Sequence, residues 1–238
     1  MCRGDTMKIF TKATLIASVS FAAMTLVSTS VLADIENQTL SVPNSGISAF
    51  TGPYASVQIN QTTGTTATIT FTALVNGGHA YLLGGQGAAG VNVNATSWTV
   101  SGLTGSNSFA GFVNDPTDLS NGGSNNEDGF GSFNQTFDNF DGYTHSFTTI
   151  SFVLTNTSGT WANAAAVLSP NAGGSEAAAH IFVCATTTCV ATVGALGTGY
   201  AASTGSSTPN EVGEPNSASI ALLALGLLGA GFWTRRKT

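Results

Sequence analysis

The chain has 238 residues, and its 12 acidic and six basic residues give a formal net charge of −6 at pH 7. All of the lysines and arginines lie near the two ends, so none occurs in residues 13–234. Because proteins neutralise nucleic-acid phosphates with Lys and Arg, this distribution excludes a nucleic-acid partner. The length of the cation-free region suits one substantial domain, and its evenly spread apolar residues argue against disorder.

The N-terminal segment has the features of an export signal. Two lysines precede an apolar stretch at residues 13–27, and the short sequence Val31-Leu32-Ala33 follows. This order predicts a signal peptide at residues 1–33, which signal peptidase cleaves after Ala33 to leave Asp34 as the first mature residue. Met7 begins an ordinary signal peptide, so the true start of the chain is Met7 or Met1.

The region after Asp34 shows a hydrophobic period of two. Threonine alternates with apolar residues through residues 66–75, which predicts a strand with one polar and one buried face. Further strands are predicted at residues 56–60, 91–95, 97–101, 108–113, 135–140, 149–154 and 180–184, separated by Gly- and Asn-rich turns. Only residues 161–168, with their alanine cluster, favour a short helical turn. The pattern predicts an all-β domain at residues 34–200, an antiparallel β-sandwich of jelly-roll-like type.

Residues 114–129 hold the densest group of acids and amides in the chain. The candidate calcium ligands are Asp115, Asp118, Glu127 and Asp128. Carboxylate and carbonyl oxygens are the ligands that calcium prefers, but the spacing matches no established calcium loop. The competing interpretation is a long surface loop that these acids keep solvated. Calcium is therefore a cofactor candidate, and no other cofactor is predicted.

The region contains two cysteines, because Cys2 lies in the segment that is removed. An even pair in an exported chain predicts a disulfide between Cys184 and Cys189. We expect it to lie across the neck of a hairpin whose second strand is residues 190–193. The loop is small, so the chain-entropy model gives a stabilisation of about 2 kcal/mol.

The C-terminal region changes in composition twice. Residues 201–213 are rich in Ala, Ser, Thr and Gly, which is typical of a flexible linker. The motif that follows is Val212-Gly213-Glu214-Pro215. An apolar run at residues 218–233 comes next and ends at the basic group Arg235, Arg236 and Lys237. The run is near the lower length limit for a single transmembrane helix, and the cations favour the cytoplasmic side.

The order of motif, apolar helix and basic end resembles the PEP-CTERM sorting signal, over residues 214–238 only. The first proline of the usual motif is Gly213 here. The resemblance implies anchoring in the inner membrane, processing by an exosortase, and release to the cell surface or medium. It also implies a Gram-negative bacterium that makes exopolysaccharide, which would be a partner of the exported body. An ordinary C-terminal membrane anchor is the alternative.

These features together predict a non-enzymatic protein of the cell surface or of an exopolysaccharide matrix or biofilm. No catalytic residue is assigned, because the three histidines lie in no catalytic pattern. A carbohydrate- or calcium-binding module is the second hypothesis. Aromatic side chains such as Trp98 and Trp161 would serve it if exposed, although core packing is the usual role of such residues. A secreted hydrolase is the third hypothesis.

Overall fold

A computed structural model of the protein describes residues 34–140 and 142–204. These residues form 12 β-strands and three short 3₁₀ helices, and no α-helix occurs among them. The strands are β1 (Asp34–Pro43), β2 (Ala55–Thr63), β3 (Thr66–Ala73), β4 (Val75–Asn76), β5 (His79–Leu83), β6 (Gly85–Val91), β7 (Trp98–Ser106), β8 (Leu119–Glu127), β9 (Gly131–Asn139), β10 (Thr149–Asn156), β11 (Ala177–Val183) and β12 (Gly197–Ser203). The 3₁₀ helices are Pro116–Asp118, Tyr143–His145 and Ala164–Ala166. The all-β prediction is confirmed.

The strands belong to one antiparallel sheet with the order β7-β10-β3-β2-β1-β12-β11-β6-β9-β8. The short strand β5 pairs with β11, and β4 pairs with β5. The first and last strands of the domain, β1 and β12, are neighbours at the centre of this order. Strand β1 pairs with β2 over residues 34–40 and with β12 over residues 40–43, so it joins the two halves of the order.

The main core lies between the two halves of the sheet, which folds over on itself. In β3, Ile69 and Phe71 are fully buried while the alternating threonines are partly exposed, as the period of two predicts. The ring centroids of Phe152 in β10 and Phe137 in β9 are 4.3 Å apart, although these strands are far apart in the sheet order. The fold is therefore sandwich- or barrel-like.

The β8–β9 hairpin adds a second layer on the opposite face of β11 and β12. Ala177 and Ala179 belong to the main core, so Ala178 between them points to the other face. There it forms a separate apolar cluster with Ala202 and with Phe133 of the hairpin. This layer is the reason that some hairpin side chains are buried outside the main core.

Several predicted elements match the structure. The predictions at residues 56–60, 66–75, 97–101, 135–140, 149–154 and 180–184 correspond to β2, β3, β7, β9, β10 and β11. The predicted helical turn is the 3₁₀ helix Ala164–Ala166, where the side chain of Asn163 accepts a hydrogen bond from the backbone N–H of Ala166. Of residues 91–95, only Val91 lies in a strand, and Val93 makes an isolated bridge to Leu168.

Other predictions need correction. Residues 108–113 and 190–193 form turns and loops instead of strands. The N–H of Val193 donates to the backbone oxygen of Val190, which closes a turn, and Phe112 is buried in the small apolar cluster around the two cysteines without belonging to a strand. Strands β1, β5, β6, β8 and β12 were not predicted, apart from Val91 at the end of β6. Strand β12 extends to Ser203 and so includes the first three residues assigned to the linker. The predicted signal and transmembrane helices lie outside the described residues.

Candidate functional site

The disulfide between Cys184 and Cys189 is present, with 5.3 Å between the two Cα atoms. Both cysteines are buried in a small apolar cluster, and the hydroxyl of Tyr143 lies 3.4 Å from Sγ of Cys184. The expected hairpin around the bridge is wrong, since β11 pairs with β12 and residues 190–193 belong to no strand. The bridge therefore closes a loop at the end of β11.

The sorting motif Val212-Gly213-Glu214-Pro215 and the basic residues Arg235, Arg236 and Lys237 lie outside the described residues, as does Ala33. Asp34 is the first residue of β1, and its carboxylate accepts a hydrogen bond of 2.6 Å from the backbone N–H of Ala164. Within residues 34–140 and 142–204, no helix is long and apolar enough to cross a membrane.

The four candidate calcium ligands have different surroundings. Asp115 is exposed and accepts hydrogen bonds from the N–H and hydroxyl of Thr117, which lower the pKa of its carboxyl. Asp118 lies 2.7 Å from Nδ1 of His145. Asp128 is exposed and accepts a hydrogen bond from the amide of Asn44. In the part of the chain that the structure describes, no three acidic, His or Cys side chains are grouped as a metal site would require.

Glu127 differs from the other three because its side chain is fully buried. It lies at the end of β8, in a space that exists because Gly87 and Gly90 of β6 have no side chains. A Cβ on Gly87 would overlap both carboxyl oxygens of Glu127, and a Cβ on Gly90 would lie 2.9 Å from Oε1. Gly87 also has a positive φ of 68°, which L residues rarely adopt. The expected solvated loop is therefore a strand that buries its last acid.

The electrostatic surroundings of Glu127 favour its neutral form. Neither carboxyl oxygen of Glu127 has a hydrogen-bond partner among the described residues. A second acid is close, because Gly87, which contacts Glu127, donates its N–H to Oδ1 of Asp138 at 2.8 Å. Burial, with a further contribution from the Asp138 charge, raises the pKa of Glu127 to about 9. At neutral pH Glu127 therefore holds a proton.

Tyr200 and His180 lie on the same side of the sheet. The Tyr200 hydroxyl donates to the backbone oxygen of Gln86 at 2.9 Å, and its ring centroid is 4.8 Å from that of His180. Burial raises the pKa of Tyr200 to about 12, with smaller contributions from the carboxylates of Glu127, Asp128 and Asp138. Burial lowers the pKa of His180, against a hydrogen bond to the backbone oxygen of Gly84. The face of β11 and β12 near the β8–β9 hairpin therefore combines aromatic rings with acidic side chains.

A second buried acidic cluster lies at the start of β1 and β11. Glu36 and Glu176 are both almost fully buried, and the amide of Gln38 donates to Oε2 of Glu176. Burial raises the pKa of Glu176, the Gln38 hydrogen bond lowers it, and the nearby Glu36 raises it. With no Lys or Arg in the described chain, no cation is available to balance either cluster.

A polar groove of about 400 Å³ lies between the end of β10 and the β6–β7 connection. It is lined by residues 93–96, by Asn156, Ser158 and Gly159, and by Ser169, so no charged side chain contributes to it. Asn156 is buried, and its Oδ1 accepts hydrogen bonds from the N–H and hydroxyl of Ser158. No sequence pattern predicted a binding site here, although Asn156-Thr157-Ser158-Gly159 after a strand is a recognisable turn pattern.

Trp98 and Trp161, the aromatic residues considered for sugar binding, both have neighbours in this groove. The indole N–H of Trp161 donates to the backbone oxygen of Asn94 at 2.7 Å, and Trp98 is paired with Asn156 in the β7–β10 register. Trp161 is buried in the main core, whereas Trp98 is partly exposed and its N–H donates to Gln135. Trp161 therefore holds Asn94 in the groove wall from the core side.

No protein-family model matches this chain, and neither the curated proteins nor the solved structures contain a match to it. Any functional argument therefore depends on the residues and geometry of the chain itself.

Proposed function

We propose that this protein is a non-enzymatic constituent of the bacterial cell surface or extracellular exopolysaccharide matrix, of the PEP-CTERM type. In this proposal signal peptidase cleaves after Ala33 and the tail holds the protein in the inner membrane. An exosortase then processes the tail near Glu214-Pro215. The observation that carries the proposal is the order of that motif, the apolar run at residues 218–233 and the terminal cations.

Two features of the described residues support export. A disulfide between Cys184 and Cys189 is typical of oxidising compartments outside the cytoplasm. Asp34, the residue that follows the predicted cleavage, is the first residue of β1, and its carboxylate accepts a hydrogen bond from the backbone N–H of Ala164, so the proposed mature N-terminus is part of the folded domain.

The folding of one antiparallel sheet over a shared core supports the finer assignment of a jelly-roll-like β-sandwich. Such a body, with neutral polar and acidic side chains on its surface, remains soluble through hydroxyl and amide groups and through its net negative charge. These properties suit a protein that is secreted into a hydrated matrix.

The test is the intact mass of the protein recovered from the surface and released fractions of its own host. Trypsin is unsuitable, because no Lys or Arg lies between Lys12 and Arg235. We expect a chain that begins at Asp34 and ends before the apolar run. A Glu214→Ala variant should keep the tail, while the matched control Glu211→Ala, three residues earlier, should be processed normally.

A mass that still includes residues 218–238 in the wild-type protein would contradict the processing step. It would indicate a permanent membrane anchor. A mass that includes residues 1–33 would contradict export through signal peptidase.

A further inference from the structure

The polar groove between the end of β10 and the β6–β7 connection has walls that are fixed by backbone hydrogen bonds. Asn94 donates its backbone N–H to Val167 and its side-chain amide to Ala166, and its backbone oxygen accepts from Trp161. Ser169 donates its N–H to the backbone oxygen of Asn92. A groove that is already ordered binds a ligand without the entropic cost of ordering its own loops.

Asn156 supplies a hydrogen-bond donor to this groove. Its Oδ1 accepts from the backbone N–H of Ser158 at 3.0 Å, and a backbone N–H can only donate, so the orientation of the amide is fixed. The Nδ2 group therefore points away from Ser158, and it donates to no partner among the described residues. Asn156 and Gly159 both line the groove, and a Cβ on Gly159 would lie at the ordinary contact distance of 3.9 Å from this nitrogen.

The chemistry of the lining restricts the class of ligand. No Lys, Arg, Asp or Glu contributes to the groove, and the groups that do are amides, hydroxyls and backbone atoms. A charged ligand would lose hydration without gaining a partner, whereas a neutral polyol exchanges its hydrogen bonds with water for similar ones. The volume of about 400 Å³ lies within the usual range for small-ligand sites.

We propose that this groove binds a segment of a neutral polysaccharide, with the side-chain amide of Asn156 donating a hydrogen bond to a sugar hydroxyl or ring oxygen. The inference goes beyond the export and processing proposed above, because it concerns the body of the protein and does not require cleavage of the tail.

The experiment is affinity electrophoresis of the full chain in a mild detergent, in native gels that contain soluble neutral polysaccharides. The panel consists of mixed-linkage β-glucan, glucomannan, xylan and dextran. We expect at least one polysaccharide to retard the wild-type protein. Asn156→Asp keeps the acceptor for Ser158 but replaces the donor with a carboxylate, so we expect it to bind about tenfold more weakly or worse.

The charge that Asn156→Asp adds needs a matched control. Asn125→Asp adds the same charge outside the groove, at a residue whose Oδ1 also accepts a backbone N–H. Asn156→Asp should reduce retardation and Asn125→Asp should preserve it.

Two results would overturn the proposal. One is that no polysaccharide in the panel retards the wild-type protein. The other is retardation that Asn156→Asp leaves unchanged. Either result leaves the intact-mass test of export and processing unaffected, so the two proposals fail separately.

Discussion

Replacing Glu127 with Gln should remove a large part of the pH dependence of stability. The folded-state pKa of Glu127 is about 9, against an ordinary value of 4.5. A group whose pKa is raised by folding contributes its full stabilisation below the unfolded-state pKa, and that stabilisation is lost as the pH rises towards the folded-state pKa. Glu127 alone should therefore lower the free energy of unfolding by about 4 kcal/mol between roughly pH 5 and pH 8.

The Gln side chain has nearly the same shape and stays neutral at every pH. Its amide group adds buried donors without partners, which costs about 1–3 kcal/mol at all pH values. We therefore expect Glu127→Gln to be less stable than the wild type at about pH 5 and more stable at about pH 8. The two stability curves should cross between these values.

The assay is urea unfolding followed by the fluorescence of Trp98 and Trp161, with the disulfide intact, across this pH range. The raised pKa of Glu176 adds a slope of the same sign, and the lowered pKa of His180 adds one of the opposite sign. Both are present in wild type and variant, so they cancel in the difference. Asp128→Asn, an exposed neighbour, is the matched control and should retain the wild-type slope.

Equal slopes for the wild type and Glu127→Gln, with equal m-values, would refute the reasoning. That result would mean that the Glu127 carboxyl titrates in the folded protein as it does in the unfolded chain. The burial of Glu127 beneath the β8–β9 hairpin would then be wrong.

Two further predictions follow from the same packing. Gly87→Ala should lower the free energy of unfolding by roughly 3 kcal/mol or more, because the new Cβ overlaps the Glu127 carboxyl group. The control is Gly78→Ala, at a residue that has a positive φ but open space around it. This control should lose only about 1–2 kcal/mol in the same urea assay. Equal losses would argue against a tight fit around Glu127. Replacing both Cys184 and Cys189 with Ser should lower the free energy of unfolding by about 2 kcal/mol. Dithiothreitol should destabilise the wild type by a similar amount and should have no further effect on the double variant. An unchanged urea midpoint in that double variant would contradict the chain-entropy argument.

The strands that could be predicted from the sequence are those in which polar and apolar residues alternate, because this alternation indicates which face is buried. In β3 the alternation of threonine with Ile69 and Phe71 marks one face as buried, whatever the partner strands are. In β8 no such signal exists, because residues 120–126 are mostly Gly, Ser and Asn. That segment becomes a strand because β9 pairs with it from Leu119 to Glu127, with two register shifts, and pairing of this kind cannot be read from its composition.

The same limit applies to the site residues. Cys184 and Cys189 could be paired from the sequence, since they are the only two cysteines after the predicted signal peptide. In the sequence, Glu127 looks no different from its neighbour Asp128. In the structure, β6 packs against Glu127 through Gly87 and Gly90 and buries it, whereas Asp128 is exposed to water. Asn156 likewise became a site residue through the position of Gly159 and the 93–96 segment, which are set by tertiary structure.

Because the folded region has no Lys or Arg, its buried carboxyl groups depend on hydrogen bonds, as Asp138 does with the N–H of Gly87, or on a retained proton. Glu127 and Glu176 are buried beside further acids, Asp138 and Glu36, so neither can be balanced by a side-chain cation. Both pKa shifts are upward, and both therefore make the domain more stable in acid than at neutral or alkaline pH. In an acidic environment, these two buried groups would therefore stabilise the fold.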